Sequence, residues 1–298
     1  MDNRISLIIA ALSLLAMQPV LAQDDEDLED LQIAAVEALI SAPPERALPV
    51  VTRVIRGDYS DDVKESALFI LSQIESPEAQ ALLLEMAQRA EGDLKIEAIE
   101  MIGIGGDAQA LTGLEAIYAS GDREVREAVL EAYLIAGDGE RVYEIARNAR
   151  SQEELEDALD MLAAMGEVEM LRRLLGEIDS TEGLIEGLGI AGDVETLRQM
   201  AMDGSKPEQQ IWAIEALGIA GATAGNDTLV QIYRESDDSD VREAALEGLM
   251  IAGDSEGMLG LYREATDLDE KSEILEYLAV MGSDELWDVI DEALGEPR

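Results

Sequence analysis

The sequence predicts an all-α fold, an α-solenoid (superhelix) of about nine stacked helical hairpins, and three observations carry that expectation. A phrase reading aliphatic-Ala-Gly-Asp, or a close variant, recurs along the chain. Its glycines are Gly106, Gly137, Gly166, Gly192, Gly221, Gly253 and Gly282, spaced between 26 and 32 residues apart. A period of that size marks one supersecondary unit copied many times, each copy burying its apolar face only against its neighbours. Seven residues before each glycine stand Ile99, Leu130, Leu159, Ile185, Ile214, Leu246 and Leu275; four before stand Ile102, Tyr133, Leu162, Leu188, Leu217, Leu249 and Leu278. Spacings of three and four place all of these on one helical face, and every member is large and apolar. Finally, 47% of the 298 residues are hydrophobic but only 3% are aromatic. A core of Leu, Ile, Val, Ala and Met suits close-packed helical pairs and disfavours an aromatic-lined cavity.

Taken in order, the chain opens with Arg4, an apolar run from Ile5 to Met17, Pro19 and Val20-Leu21-Ala22. That is the layout of a secretory signal peptide over residues 1–22, cleaved after Ala22. The apolar run falls short of the roughly 20 residues a spanning helix needs. No Cys follows the cleavage site, which excludes a lipoprotein anchor, and no membrane insertion is expected after cleavage. A periplasmic location is expected, with secretion as the alternative. Residues 23–60 form an acidic tether (Asp24 to Asp30) and an atypical capping helical pair, marked by Pro43, Pro44 and Pro49. Residues 61–298 form the repeat array. Its first unit has Glu75-Ser76-Pro77 where the glycine should be, and its last helix carries Trp287. In the units between, the glycine fits a helix C-terminus that needs φ > 0. The residue after it (Asp107, Asp138, Asp193 or Asp254) can cap the next helix.

Composition excludes several functions. The chain has no Cys and no His, which removes the usual structural zinc sites, Cys/His dyads and Ser-His-Asp triads. With 66 acidic against 21 basic residues the net charge is −45. Such a field repels nucleic acid and anionic lipid and favours a cationic partner; it also serves plain solubility, as in a salty habitat.

The units resemble HEAT repeats, and more closely the short HEAT-like repeats of phycobilisome-lyase relatives. The carriers are Asp61-Asp-Val63-Lys64, Asp122 with Val125-Arg126, and Asp238 with Val241-Arg242, each followed by an Ala-rich aliphatic helix and the glycine turn. The resemblance implies a binding scaffold rather than a catalyst. It also implies an Asp–Arg ladder between units through Asp122, Arg126, Asp238 and Arg242, and less directly Lys95 and Lys271, interrupted over residues 151–205.

One constellation points to a site. Six residues before each glycine lie Glu100, Glu131, Asp160, Glu186, Glu215, Glu247 and Glu276, and four units add an acid one turn earlier: Glu127, Glu156, Glu182 and Glu243. Residues four apart stack on one helix face, here the face opposite the core. By the HEAT resemblance that face lines the concave surface. A solvated face accounts for the same row, since composition alone makes seven charged positions all acidic about one time in seven.

Other motifs lead elsewhere. Gly187-Leu-Gly189-Ile-Ala-Gly192 spells GxGxxG, but late in a helix rather than between a strand and a helix, so it reads as helix packing plus a C-terminal glycine. Together with Gly183 it suggests a locally weak helix. The acid runs Asp237-Asp238-Ser239-Asp240 and Asp24-Asp25-Glu26-Asp27 lack EF-hand ligand order. Tyr118, Tyr233 and Tyr262 follow the repeat and should pack between units. Paired carboxylates could serve glycoside hydrolysis, but the aromatic platforms are missing. No catalytic residue, cofactor or metal is expected. The expected function is a non-catalytic periplasmic scaffold whose acidic concave face binds a protein partner with a basic segment. The alternatives are a structural spacer of an envelope complex or, by analogy with the lyase relatives, a lyase or chaperone-lyase; the export signal and the absence of a pigment-linked motif disfavour the lyase.

Overall fold

The computed structural model describes residues 18–221, 223–282 and 285–294. Among these residues the regular structure is helical throughout, with no strand. They divide into two compact units, parted between Ala136 and Gly137. The apolar run of the expected signal peptide lies outside the described residues.

The N-terminal unit contains α1 (Gln18–Glu37), a 3-10 turn (Ala38–Ser41), α2 (Pro44–Ile55), α3 (Asp61–Ser72), α4 (Pro77–Arg89), α5 (Asp93–Gly105), α6 (Ala108–Ser120) and α7 (Arg123–Ala136). The acidic run Asp24 to Asp30, expected as a tether, belongs to α1; Glu, Leu and Gln are good helix formers and continue into a helix that packs on α3. Helices α1, α3, α5 and α7 stack as one layer, and α4 and α6 pair in the other. Where the glycine is missing, Pro77 starts α4 and the Ser76 hydroxyl accepts from the Ala79 N–H at 3.2 Å, a serine cap with proline at the first turn.

The C-terminal unit contains α8 (Gly139–Arg147), α9 (Gln152–Met165), α10 (Val168–Glu177), α11 (Glu182–Ile190), α12 (Val194–Ala201), α13 (Pro207–Ala220), α14 (Thr223–Glu235), α15 (Ser239–Ile251), α16 (Ser255–Glu264), α17 (Leu268–Met281) and α18 (Glu285–Leu294). Helices α9, α11, α13, α15 and α17, which end at the anchor glycines, form one layer; we call them, with α5 and α7, the signature helices. The return helices form the other layer. Each unit is thus a stack of helical hairpins, the solenoid class expected from the period.

All seven anchor glycines have φ between 59° and 82°, the left-handed region where a Cβ is costly. The next aspartates cap as expected. Asp107 accepts from the N–H groups of Gln109 and Ala110, Asp138 from Arg141, Asp193 from Thr196 and Asp254 from Gly257. The two core positions are at most 1% exposed in every signature helix, except at Leu275, which is half-buried. Tyr118, Tyr233 and Tyr262 are buried.

Candidate functional site

In the N-terminal unit the face opposite the core carries Glu100 on α5 and Glu127 and Glu131 on α7, all exposed or half-buried. Glu127 accepts from Arg123 at 2.6 Å, so one of the three is already compensated. Two acids missed by the repeat count join them. Burial pushes the Glu97 carboxyl upward and Glu100 and Glu65 add to it; burial, then Asp62, Asp61 and Asp93, do the same for Glu65. The signal was present, since Glu65 stands one helical turn before Phe69, which occupies the acid position of α3. Phe69 and Ile40, both exposed, line a cavity of about 420 Å³ rimmed by Glu37, Glu65 and Glu97.

In the C-terminal unit the same face carries Glu156 and Asp160 on α9, Glu182 and Glu186 on α11, Glu215 on α13, Glu243 and Glu247 on α15, and Glu276 on α17. Glu215 and Glu247 are half-buried and the others exposed. Three helices bring their charges together at Glu215. Burial raises its pKa first, and the carboxylates of Glu247, Glu182 and Glu186 raise it further. Asp160 is pushed up by burial and by Glu156. The Tyr277 phenol is raised by burial and then by Glu247, Glu243, Glu273 and Glu276. Among the described residues, Asp160, Glu182, Glu186, Glu215, Glu243, Glu247 and Glu276 have no ion-pair partner, and Glu156 is met only by the neutral Gln152 amide at 2.8 Å.

Arginine compensates acids elsewhere. On the return layer, Arg172 of α10 grips the α12 cap Asp193 with two bonds of 2.6 Å, and the Asp193 side chain is 1% exposed. Burial raises the Asp193 pKa, but the hydrogen bonds from Arg172 and Thr196 outweigh it and hold the carboxyl below its ordinary value. Arg234 of α14 forks onto Glu264 of α16 at 2.7 and 2.8 Å. Arg173 lies 4.0 Å above the Tyr143 ring and reaches Glu140 at 3.3 Å.

The expected Asp–Arg ladder is built differently. Asp122 and Asp238 cap their own helices, accepting from Val125 and Asp240. Arg242 instead reaches forward to Glu270 of α17, donates to the Tyr233 hydroxyl at 2.7 Å and covers that ring at 4.5 Å. Lys271 sits 4.7 Å above the Tyr262 ring. A short Asp is used up by the helix end behind it, so the longer Glu270 supplies the forward link. In the stretch where the ladder was expected to break, the Arg172–Asp193 clamp takes over on the return layer.

The signature helices approach to backbone contact. A Cβ on Gly103 would lie 2.7 Å from Ala132 Cα, one on Gly189 2.6 Å from the Ala216 carbonyl oxygen, and one on Gly218 2.5 Å from that of Gly248. The GxGxxG match is therefore a packing seam, as its place in a helix implied. One feature escaped the sequence reading. The aliphatic residue that opens the recurring phrase points to solvent: Ile104 is 43% exposed, Ile135 52%, Ile190 50%, Ile219 38%, Ile251 52% and Val280 75%. Each stands four residues after a strip acid, on the same helix face. Among the described residues no group of three or more Asp or Glu is arranged to hold a metal ion, and no helix is long and apolar enough to cross a membrane.

Residues 54–133, reaching from the end of α2 into α7, match the family model described as HEAT repeats. No curated protein matches the chain. Solved structures similar to it include the complex of CpcE and CpcF of phycocyanin lyase from Nostoc sp. PCC7120, at 15% identity over 81% of this chain and 95% of that one, with a TM-score of 0.34. Human deoxyhypusine hydroxylase in complex with glycerol matches at 17% identity over 78% of this chain and 99% of that one, TM-score 0.33. An engineered protein matches at 16% identity over 70% and 96%, TM-score 0.26.

Proposed function

With HEAT repeats over residues 54–133 as the premise, we propose that this chain is an exported, non-catalytic scaffold of the periplasm that holds a protein partner on the acidic face of its signature helices. A stack packed backbone to backbone on one layer, and joined through long side chains on the other, bends toward the tighter layer. On this reading the carboxylates of each unit lie on the inner side, where stacked repeats offer their binding surface. The single observation carrying the reading is the clustering of uncompensated acids at Glu215. Burial, then Glu247, Glu182 and Glu186, raise its pKa, while Arg172 and Arg234 pair with acids on the return layer. Like charge gathered at a fixed place stores unfavourable energy that a cationic ligand releases. Export rests on Arg4, the apolar run to Met17 and Val20-Leu21-Ala22.

The test is capture of periplasmic proteins by the chain at low and high salt, repeated with Glu131→Gln, Asp160→Asn and Glu186→Gln combined. A charge-steered partner is retained at low salt, released as the screening length drops below roughly 10 Å, and lost in the triple variant. Capture that is indifferent to salt and to the triple variant, but abolished by charge changes on the return helices, would overturn the reading.

A further inference from the structure

The acid strip has an aliphatic border. On α11, α13, α15 and α17, Ile190, Ile219, Ile251 and Val280 stand four residues beyond Glu186, Glu215, Glu247 and Glu276, and all four are between 38% and 75% exposed. Four residues of helix rise about 6 Å, so an apolar row runs beside the acid row at that separation. Glu182 and Glu243 add a second acid row about 12 Å from the apolar one. Neighbouring helices are about 8–10 Å apart, and the backbone contacts at Gly189 and Gly218 put α11, α13 and α15 at the close end of that range.

From these dimensions we infer that the C-terminal unit receives a cationic amphipathic α-helix laid across α11, α13, α15 and α17, its aliphatic stripe on the isoleucine row and its Lys or Arg residues on the acid rows. This rests on the acidic-face reading and adds the form of the ligand. A helix with an apolar stripe at three- and four-residue steps offers a side chain about every 5 Å along its axis, so one falls within about 3 Å of each rung of the row, and its diameter of about 10–12 Å spans the strip from aliphatic to outer acid. An extended segment occupies only about 5 Å of width, so it covers one row and leaves the other in water. A second copy of this chain meets like charge on this face, because all eight acids there, from Glu156 to Glu276, carry one sign. Solubility alone gives no reason to keep a large aliphatic side chain in water at the same position of four successive helices.

The experiment measures binding of synthetic peptides to the full chain by fluorescence anisotropy at low salt. One peptide is built of Leu, Lys and Ala with a heptad stripe. A second has the same composition scrambled, and a third has the stripe interrupted by proline. The striped peptide should bind at least ten-fold tighter than either control. Ile190→Ser, Ile219→Ser and Ile251→Ser combined should weaken the striped peptide about five-fold per residue, from half the transfer value of a fully buried aliphatic side chain, and leave the scrambled one unchanged. Circular dichroism checks that helix content is kept, as it should be for exposed positions. Equal binding of the three peptides, or no loss in the serine variant, overturns the inference while the acidic-face reading stands. If no peptide binds at low salt, the acidic-face reading itself fails.

Discussion

Glu215→Gln should make the protein more stable, against the usual direction for a half-buried residue. Burial first, and then three carboxylates on the adjacent helices, raise the Glu215 pKa; the axes of packed helices lie about 8–10 Å apart, which we take as the scale of the charge separation. At that range each pair repels by about 0.4 kcal/mol in water, and by more beside a low-dielectric helix surface. Allowing for partial screening, relief at Glu215 is worth about 1 kcal/mol at low salt. Gln has nearly the helix propensity of Glu, so little is lost in exchange. For a chain of this size that is a rise in Tm of about 2 °C, shrinking to nothing in molar salt. The pH sign follows from the same shift. A carboxyl whose folded pKa is raised binds its proton more tightly in the folded chain, so stability falls as pH climbs from the ordinary value of 4.5 through the raised one. The variant flattens that fall. Glu195→Gln is the control of opposite sign, because Glu195 accepts from Arg198 at 2.8 Å and from Gln199; its loss should be neutral or slightly destabilising. Thermal melts of the three proteins across salt decide the matter. A Glu215→Gln chain no more stable than its parent at low salt would refute the picture of a repulsive cluster.

Three further outcomes are expected. Asp193→Asn keeps a capping side chain but breaks the clamp to Arg172, and should lose about 2 kcal/mol in urea titrations; Asp193→Ala also removes the cap and should lose about 3 kcal/mol. Because the folded pKa of Asp193 is depressed, its contribution is present above 3.8 and disappears as pH falls through the lower folded value; a loss in either variant that ignores pH would speak against the clamp. Gly218→Ala drives a methyl against the Gly248 carbonyl oxygen and should destabilise by about 1–3 kcal/mol, whereas Gly260→Ala in α16, which faces open space, should stabilise by about 0.5–1 kcal/mol. Finally, α11 should resist hydrogen exchange as well as α13 does, since Leu184, Ile185 and Leu188 are fully buried and Gly189 abuts Ala216. Much faster exchange there would restore the view of this glycine-rich helix as a flex point.

The elements legible in the sequence were those set by one residue's backbone needs or by helical periodicity. Gly106 and its six counterparts announce a left-handed helix end, Asp107 and its counterparts a cap, and Ile99 with Ile102 a buried stripe. Partners of long side chains were not legible. Whether Arg242 meets Asp238 or Glu270 depends on reach across a hairpin, and the Asp is already occupied by N–H groups nearby. Nor does composition tell an acidic tether from an acidic helix when Leu28 and Leu31 sit within it. The isoleucine row was hidden by its own regularity. An aliphatic residue two before a helix-ending glycine looks like core, until its angle is compared with Glu215 four residues earlier.

That comparison bears on why the chain is so acidic. Selection for solubility in salt works on the whole surface, so it predicts acids wherever the helix faces water and apolar residues nowhere beside them. The chain departs from this in two ways on one layer. Arg172 and Arg234 pair with acids of the return helices, at Asp193 and Glu264, and Arg242 goes to Glu270 rather than to the strip, while the carboxylates around Glu215 are left to repel. Beside those carboxylates stand Ile190, Ile219 and Ile251, a third to a half exposed, each forgoing about 1 kcal/mol of transfer free energy. Both departures cost stability in the free chain, and both are recovered together only by a ligand that is basic on one flank and aliphatic on the other.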